Sequence, residues 1–202
     1  QGGAQSTAVF SIHGTITSVS SLPAQLGPTA TDGADHAGLL IEAVPWTSGQ
    51  SQSWRVTYDG GKTEVSPLSA TPDRSSNIAT ELRYADNPGG RPVPVVLVHH
   101  KDLDRGETHV AKLIAYGGYE VRTQANFFHH ALDVYGLAEQ RNVVLAYADV
   151  WDGAADEVNA AARMLIEEGY TTTSQLTRAG RSRGGATVGL AGTHAPDLSA
   201  KL

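Results

Sequence analysis

The apolar positions change period once along the chain. Over residues 1–77 they recur in short runs that alternate or are rich in β-branched residues: 8–19, 39–44 and 54–58. Gly-, Pro-, Ser- and Thr-rich stretches separate the runs, and no helical period of useful length occurs among them. This pattern predicts short strands joined by loops. Asp59-Gly60-Gly61-Lys62 between Trp54–Tyr58 and Thr63–Val65 predicts a hairpin turn. From residue 78 onward, strand-like and helix-like stretches alternate. Strands are expected at 78–84, 93–98, 112–116, 143–148 and 176–179. The run Val143-Val144-Leu145-Ala146-Tyr147-Ala148 is apolar throughout, as a strand covered on both faces requires. Pro94 places the second of these strands at an edge, or itself among that strand's first residues. The clearest helix is 154–168, where Val158, Ala161, Ala162 and Leu165 fall on one face and Gly169 closes the end, with Asp152 or Asp156 as its cap. A second helix is expected from Gly184 to about Gly192. The order of elements predicts two parts: a β-rich segment, 1–77, and an α/β domain with a largely parallel sheet, 78–202.

The strand 176–179 leads into Gly180-Arg181-Ser182-Arg183-Gly184, a Gly-x-Ser-x-Gly pattern between an apolar run and small helix-forming residues. This is the nucleophile-elbow pattern of α/β-hydrolases. A serine at the tip of a sharp strand-to-helix turn exposes its Oγ, and glycine on either side removes the Cβ clashes such a turn creates. The backbone N–H of Arg183 would face an oxyanion forming at Ser182, next to the positive end of a helix.

Composition narrows the alternatives. The 202 residues include 15 basic and 21 acidic side chains, a net charge of −6, and no basic block, so nucleic-acid binding has no electrostatic support. No apolar run approaches 18 residues, so no membrane-spanning helix is expected. The absence of cysteine excludes disulfides, thiolate catalysis and Cys-based zinc sites, and fits cytoplasm or periplasm; the cytoplasm is the expectation, with a periplasmic or secreted protein the alternative. Neither His99-His100 nor His129-His130 has the i, i+4 spacing of a helical metal site, and no phosphate-cradling loop occurs, so neither a metal nor an organic cofactor is expected.

Five successive stretches resemble landmarks of the prolyl oligopeptidase family, in that family's order. They are Arg91-Pro92-Val93-Pro94-Val95-Val96-Leu97-Val98-His99-His100-Lys101, Tyr116-Gly117-Gly118-Tyr119, Leu165-Ile166-Glu167-Glu168-Gly169-Tyr170-Thr171, Gly180-Arg181-Ser182-Arg183-Gly184-Gly185, and Ala195-Pro196-Asp197-Leu198. The resemblance covers roughly 78–202. It implies an α/β-hydrolase domain with a Ser-Asp-His triad, covered by a β-propeller that filters substrates by size, and it makes the β-rich first segment a propeller remnant. It implies a serine-type endopeptidase that cuts short peptides, after proline in the main. Ser182 matches the nucleophile, Arg183 the backbone donor of the oxyanion hole, Tyr116 the hydroxyl donor, and Tyr119 an aromatic lining the substrate pocket.

The chain departs from the family in three places. In the family the triad Asp and His follow the serine by many dozens of residues, whereas 20 residues follow Ser182 here. His194 and Asp197 lie among them in the wrong order, and a helix from Gly184 carries His194 about 15 Å away, too far to serve as base. The connection after 148 is short, and so is the propeller segment. These shortages predict a partial member of the family. Arg181, where strict prolyl members carry glycine, is similar to oligopeptidase B. Two other readings remain open at this level: a catalytically incomplete binding module on a hydrolase scaffold, and an esterase on the same fold.

Overall fold

The computed structural model describes residues 14–22, 38–45, 52–59, 62–68, 77–88, 90–119, 123, 140–151, 154–198 and 200. The chain divides into two compact units, Gln1–Arg74 and Ser75–Leu202.

The first unit carries a four-stranded antiparallel sheet in sequence order: β1 (Gly14–Leu22), β2 (Gly38–Pro45), β3 (Gln52–Asp59) and β4 (Lys62–Pro67). The expected hairpin is present, with Asp59 paired to Lys62 at its closed end. A register shift between Ile16 and Ser18 marks a bulge in β1, and the Ser18 hydroxyl donates to Glu42 Oε2 across the pair at 2.7 Å. The strand expected over 8–19 is found at 14–22; residues 8–13 lie outside the described residues.

The second unit is a five-stranded mixed sheet with helices packed on it. The strands are β5 (Ile78–Ala85), β6 (Val93–His100), β7 (Val110–Ala115), β8 (Val143–Ala148) and β9 (Leu176–Ala179), and their order across the sheet is β5-β6-β8-β7-β9. β6 runs antiparallel to both neighbours, while β7 is parallel to β8 and β9. Four strands therefore share one direction and β6 opposes them. Pro94 does not mark an edge. It is the second residue of an interior strand, paired with Tyr84, and its carbonyl accepts the Asp149 N–H at 2.8 Å. A missing N–H is tolerated there because the ladder has only begun.

All six residues of β8 are buried, as the unbroken apolar run requires. Helix α1 (Ala155–Glu167) seats Val158, Ala161, Ala162 and Leu165 in the core, each fully buried. It ends where Gly169 turns to φ +76 and the Tyr170 N–H bonds back to Leu165 O at 2.9 Å. Its start differs from expectation. Ala154 stands at the cap position with no side-chain bond, Asp156 lies in the first turn instead of capping it, and Asp152 lies outside the described residues. Helix α2 (Arg183–His194) follows β9, and a single turn of 3-10 helix (Pro196–Leu198) follows α2. Arg178 on β9 joins the helices: it donates to Asn159 Oδ1 at 2.7 Å and to Ala195 O at 2.9 Å.

A polar cluster ties edge strand β5 to the turn after α1. The buried Tyr170 hydroxyl donates to Glu81 Oε2 at 2.8 Å and accepts from Arg83 at 3.2 Å and from Arg105, whose guanidinium also lies 4.1 Å over the phenol ring. His99 Nε2 stands 3.1 Å from Glu81 Oε1. Burial by itself pushes the Glu81 carboxyl up. The hydrogen bonds of Tyr170 and His99 and the charge of Arg105 outweigh it, and the net value is lowered. A carboxylate whose folded value lies below its unfolded one contributes stability above the unfolded value and loses it as pH falls through the folded one. Stability to urea should therefore decline from about pH 5 downward, and Glu81→Gln should flatten that decline. An unchanged acid limb in Glu81→Gln would remove Glu81 as its source.

Candidate active site

β9 and β7 run parallel, side by side, and both release the chain at the same end of the sheet. Beyond β9, Gly180 and Arg181 lead to Ser182, which begins α2 with φ 54 and ψ −124. Outside glycine that combination is sterically forbidden ground, because Cβ crowds the adjoining peptide groups. A serine in the cap position of a helix ordinarily turns its hydroxyl onto the first-turn N–H groups. Ser182 makes no such bond, and the residue is exposed. The helix leaves the hydroxyl of its own cap residue unused.

The two glycines of the motif have separate steric reasons. A Cβ at Gly180 would lie 2.2 Å from Gly184 O and 2.4 Å from its carbonyl carbon. A Cβ at Gly184 would lie 2.7 Å from both Ala115 O and Tyr116 Cα. Gly180 lets the turn close on itself, and Gly184 lets α2 press onto the end of β7. That contact brings the Tyr116–Tyr119 loop against the elbow.

The loop is held from both sides. Tyr116, half-buried, donates its backbone N–H to Thr123 Oγ1 at 2.9 Å. Gly117, at φ +56, would carry a Cβ 2.6 Å from Trp151 O, and a Cβ at Gly118 would meet Arg183 Cγ at 2.4 Å. Tyr119 is left 76% exposed at φ 53. Ser182, Arg183 and the loop bearing Tyr116 and Tyr119 thus gather at one end of the sheet, with Arg183 the first residue of α2.

The described histidines stand elsewhere. His109 immediately precedes β7, and His99 pairs with Val144 near the start of β8, so His99, His100 and His109 occupy the opposite end of the sheet, about 20 Å from the elbow for a six-residue strand. His194 closes α2 twelve residues beyond Ser182, about 18 Å along the axis, with Nδ1 3.7 Å from Asp156 Oδ1. His13, His36, His129 and His130 lie outside the described residues. Among the described residues, no group of three or more His, Cys, Asp or Glu side chains could hold a metal ion, and no helix is long and apolar enough to cross a membrane.

One cluster at the elbow end was not anticipated. Trp151, three residues past β8, donates its backbone N–H to Glu157 Oε2 at 2.8 Å. Arg91 reaches the same carboxylate oxygen at 3.4 Å, donates to Asp149 O at 2.6 Å, and lies 5.2 Å over the indole centre. The one sequence signal for it is a glutamate on the buried side of α1, at 157.

No family model matches the chain. Among curated proteins it is 24% identical over 161 residues to a prolyl endopeptidase of Elizabethkingia miricola, covering 72% of this chain and 23% of that protein. It is 27% identical over 158 residues to an uncharacterized peptidase, y4nA, of Sinorhizobium fredii, covering 69% and 22%. Among solved structures, a prolyl endopeptidase aligns with TM-score 0.60 and 26% identity, over 85% of this chain and 27% of that one. Oligopeptidase B from Leishmania major aligns with TM-score 0.60 and 21% identity, over 80% and 25%. The chain spans about a quarter of the length of these relatives. Its resemblance to the prolyl oligopeptidase family holds in both sequence and fold.

Proposed function

We propose, from that kinship, that the chain carries the nucleophile and oxyanion donors of a serine-type endopeptidase that cuts short peptides, preferring proline before the scissile bond. The backbone of Ser182 carries this reading most directly: a non-glycine residue held at φ 54 and ψ −124, its hydroxyl unused by the helix it begins. Strain of that kind persists where the surrounding structure enforces it and function uses it. The fold reading follows the same line. The order β5-β6-β8-β7-β9 with β6 reversed, and a serine turn after β9, suit part of an α/β-hydrolase sheet. The four-stranded antiparallel sheet of the first unit suits one blade of a propeller.

In this mechanism Ser182 Oγ adds to the peptide carbonyl as a histidine takes its proton. The Arg183 N–H and the Tyr116 hydroxyl donate to the tetrahedral oxyanion. The amine leaves with the transferred proton, and water then adds to the acyl-enzyme and restores Ser182. A phenol is a neutral donor near pH 7 and gives its hydrogen bond without first losing a charge. The described histidines lie too far from Ser182 to serve, so the base is assigned to none of them.

The test is turnover of a proline-containing peptide beside a short ester. Tyr116→Phe should lower kcat on the peptide about 100-fold with KM little changed, since the lost bond forms in the transition state. Unchanged kcat would remove Tyr116 from the oxyanion site. Turnover of the ester without the peptide would replace the peptidase with an esterase.

A further inference from the structure

We propose that Trp151 forms a binding subsite for an apolar side chain of the peptide, about three residues from the bond that is cut. This rests on the reading of Ser182 as the acyl acceptor of a peptidase. Trp151 lies three residues beyond Ala148 and Ser182 three beyond Ala179, and Ala148 and Ala179 end neighbouring rungs on either side of β7, where Ala115 pairs with Ala148 and Ile114 with Ala179. The two residues therefore emerge at the same end of the sheet, two strand spacings apart, about 10 Å. An extended peptide advances about 3.3 Å per residue, so that gap corresponds to about three residues.

The indole is both exposed and fixed. It is 53% exposed, yet its backbone is gripped on two sides. The N–H goes to the buried Glu157 carboxylate, and the carbonyl lies where Gly117 packs so tightly that a Cβ would come within 2.6 Å. Arg91 lies over the ring and is itself held by Asp149 O and Glu157. An aromatic plate immobilised before binding gives up little conformational freedom when it is covered. Arg91 also sets the chemistry of the occupant. Its guanidinium already lies over the indole, so a second cation at this place meets repulsion, whereas a proline ring, leucine or phenylalanine meets apolar surface.

The measurement is peptide binding to the full chain carrying Ser182→Ala, which removes the nucleophile and leaves the ligand intact. The probes are ten-residue alanine-based peptides with one proline and one phenylalanine, the phenylalanine moved through the positions on either side. Calorimetry should find one phenylalanine position, about three residues from the proline, that binds tightest. Adding Trp151→Ala should weaken that peptide about tenfold and leave the others unchanged, and Trp151→Phe should restore most of the loss. Lysine at that position should bind no better than alanine. Equal binding with and without the indole, a preference for lysine, or no binding of any probe would each overturn the subsite. Fluorophosphonate labelling of the unmutated chain separates the two readings. Indole-dependent binding without labelling strikes the peptidase assignment and leaves a peptide-binding subsite in place.

Discussion

Gly184→Ala is expected to cost about 3 kcal/mol or more, enough to prevent the second unit from forming a stable elbow. The added Cβ would stand 2.7 Å from Ala115 O and from Tyr116 Cα, and both are backbone atoms of an interior strand and the loop that follows it. Neither can rotate away as a side chain would. The same helix provides the control. A Cβ at Gly189 or at Gly192 meets nothing within 4 Å, and neither glycine has positive φ. Alanine there should stabilise by about 0.5–1 kcal/mol, because it removes backbone freedom from the unfolded chain at no steric cost. Urea midpoints of the three variants should thus move in opposite directions for the same chemical change in one helix. A Gly184→Ala midpoint equal to that of Gly189→Ala would mean that α2 does not pack on β7 as described.

Ser182→Gly should raise stability by about 1–3 kcal/mol while removing the proposed nucleophile. The residue sits at φ 54 and ψ −124, a conformation open to glycine and costly for any residue with a Cβ. Ser182→Ala keeps the Cβ and the strain, so its stability should match that of the unmutated chain although its hydroxyl is also gone. The difference between the two variants isolates backbone strain from loss of the Oγ. Equal stabilities for glycine and alanine would mean that Ser182 is not strained, and the principal structural argument for its role would fall with that result.

The elbow was legible in the sequence because its causes are local. Gly180 and Gly184 are constrained by atoms within a few residues or by the strand end that the turn must meet, and a five-residue spacing records both. The buried strand β8 and the inner face of α1 were legible for a related reason: a 2.0 or 3.6 period states which side of one element is covered. What escaped depends on partners far along the chain. Pro94 left open whether its strand lay at an edge or had only begun, because its missing N–H is a local fact, while the strand beyond it, β8, arrives some 50 residues later. Tyr170 and Glu81 are 89 positions apart, and Arg91 and Glu157 are 66 apart. No periodicity encodes such pairs. The fold buries His99 and His100 and gives His99 the Glu81 carboxylate, 18 positions away, at the end of the sheet away from Ser182. The cap expected from Asp156 failed because the helix begins at Ala155, two residues earlier than a cap at 156 allows. Glu157, the residue after it, is instead used to hold Trp151.

The central claim is that Ser182 is a nucleophile poised by its own turn. Intact-mass measurement after treatment of the purified chain with a fluorophosphonate tests it most directly, followed by peptide mapping of any adduct. The expected result is one adduct, on Ser182, absent from Ser182→Ala and reduced in Tyr116→Phe. No adduct, or an adduct on another residue that persists in Ser182→Ala, would contradict the assignment.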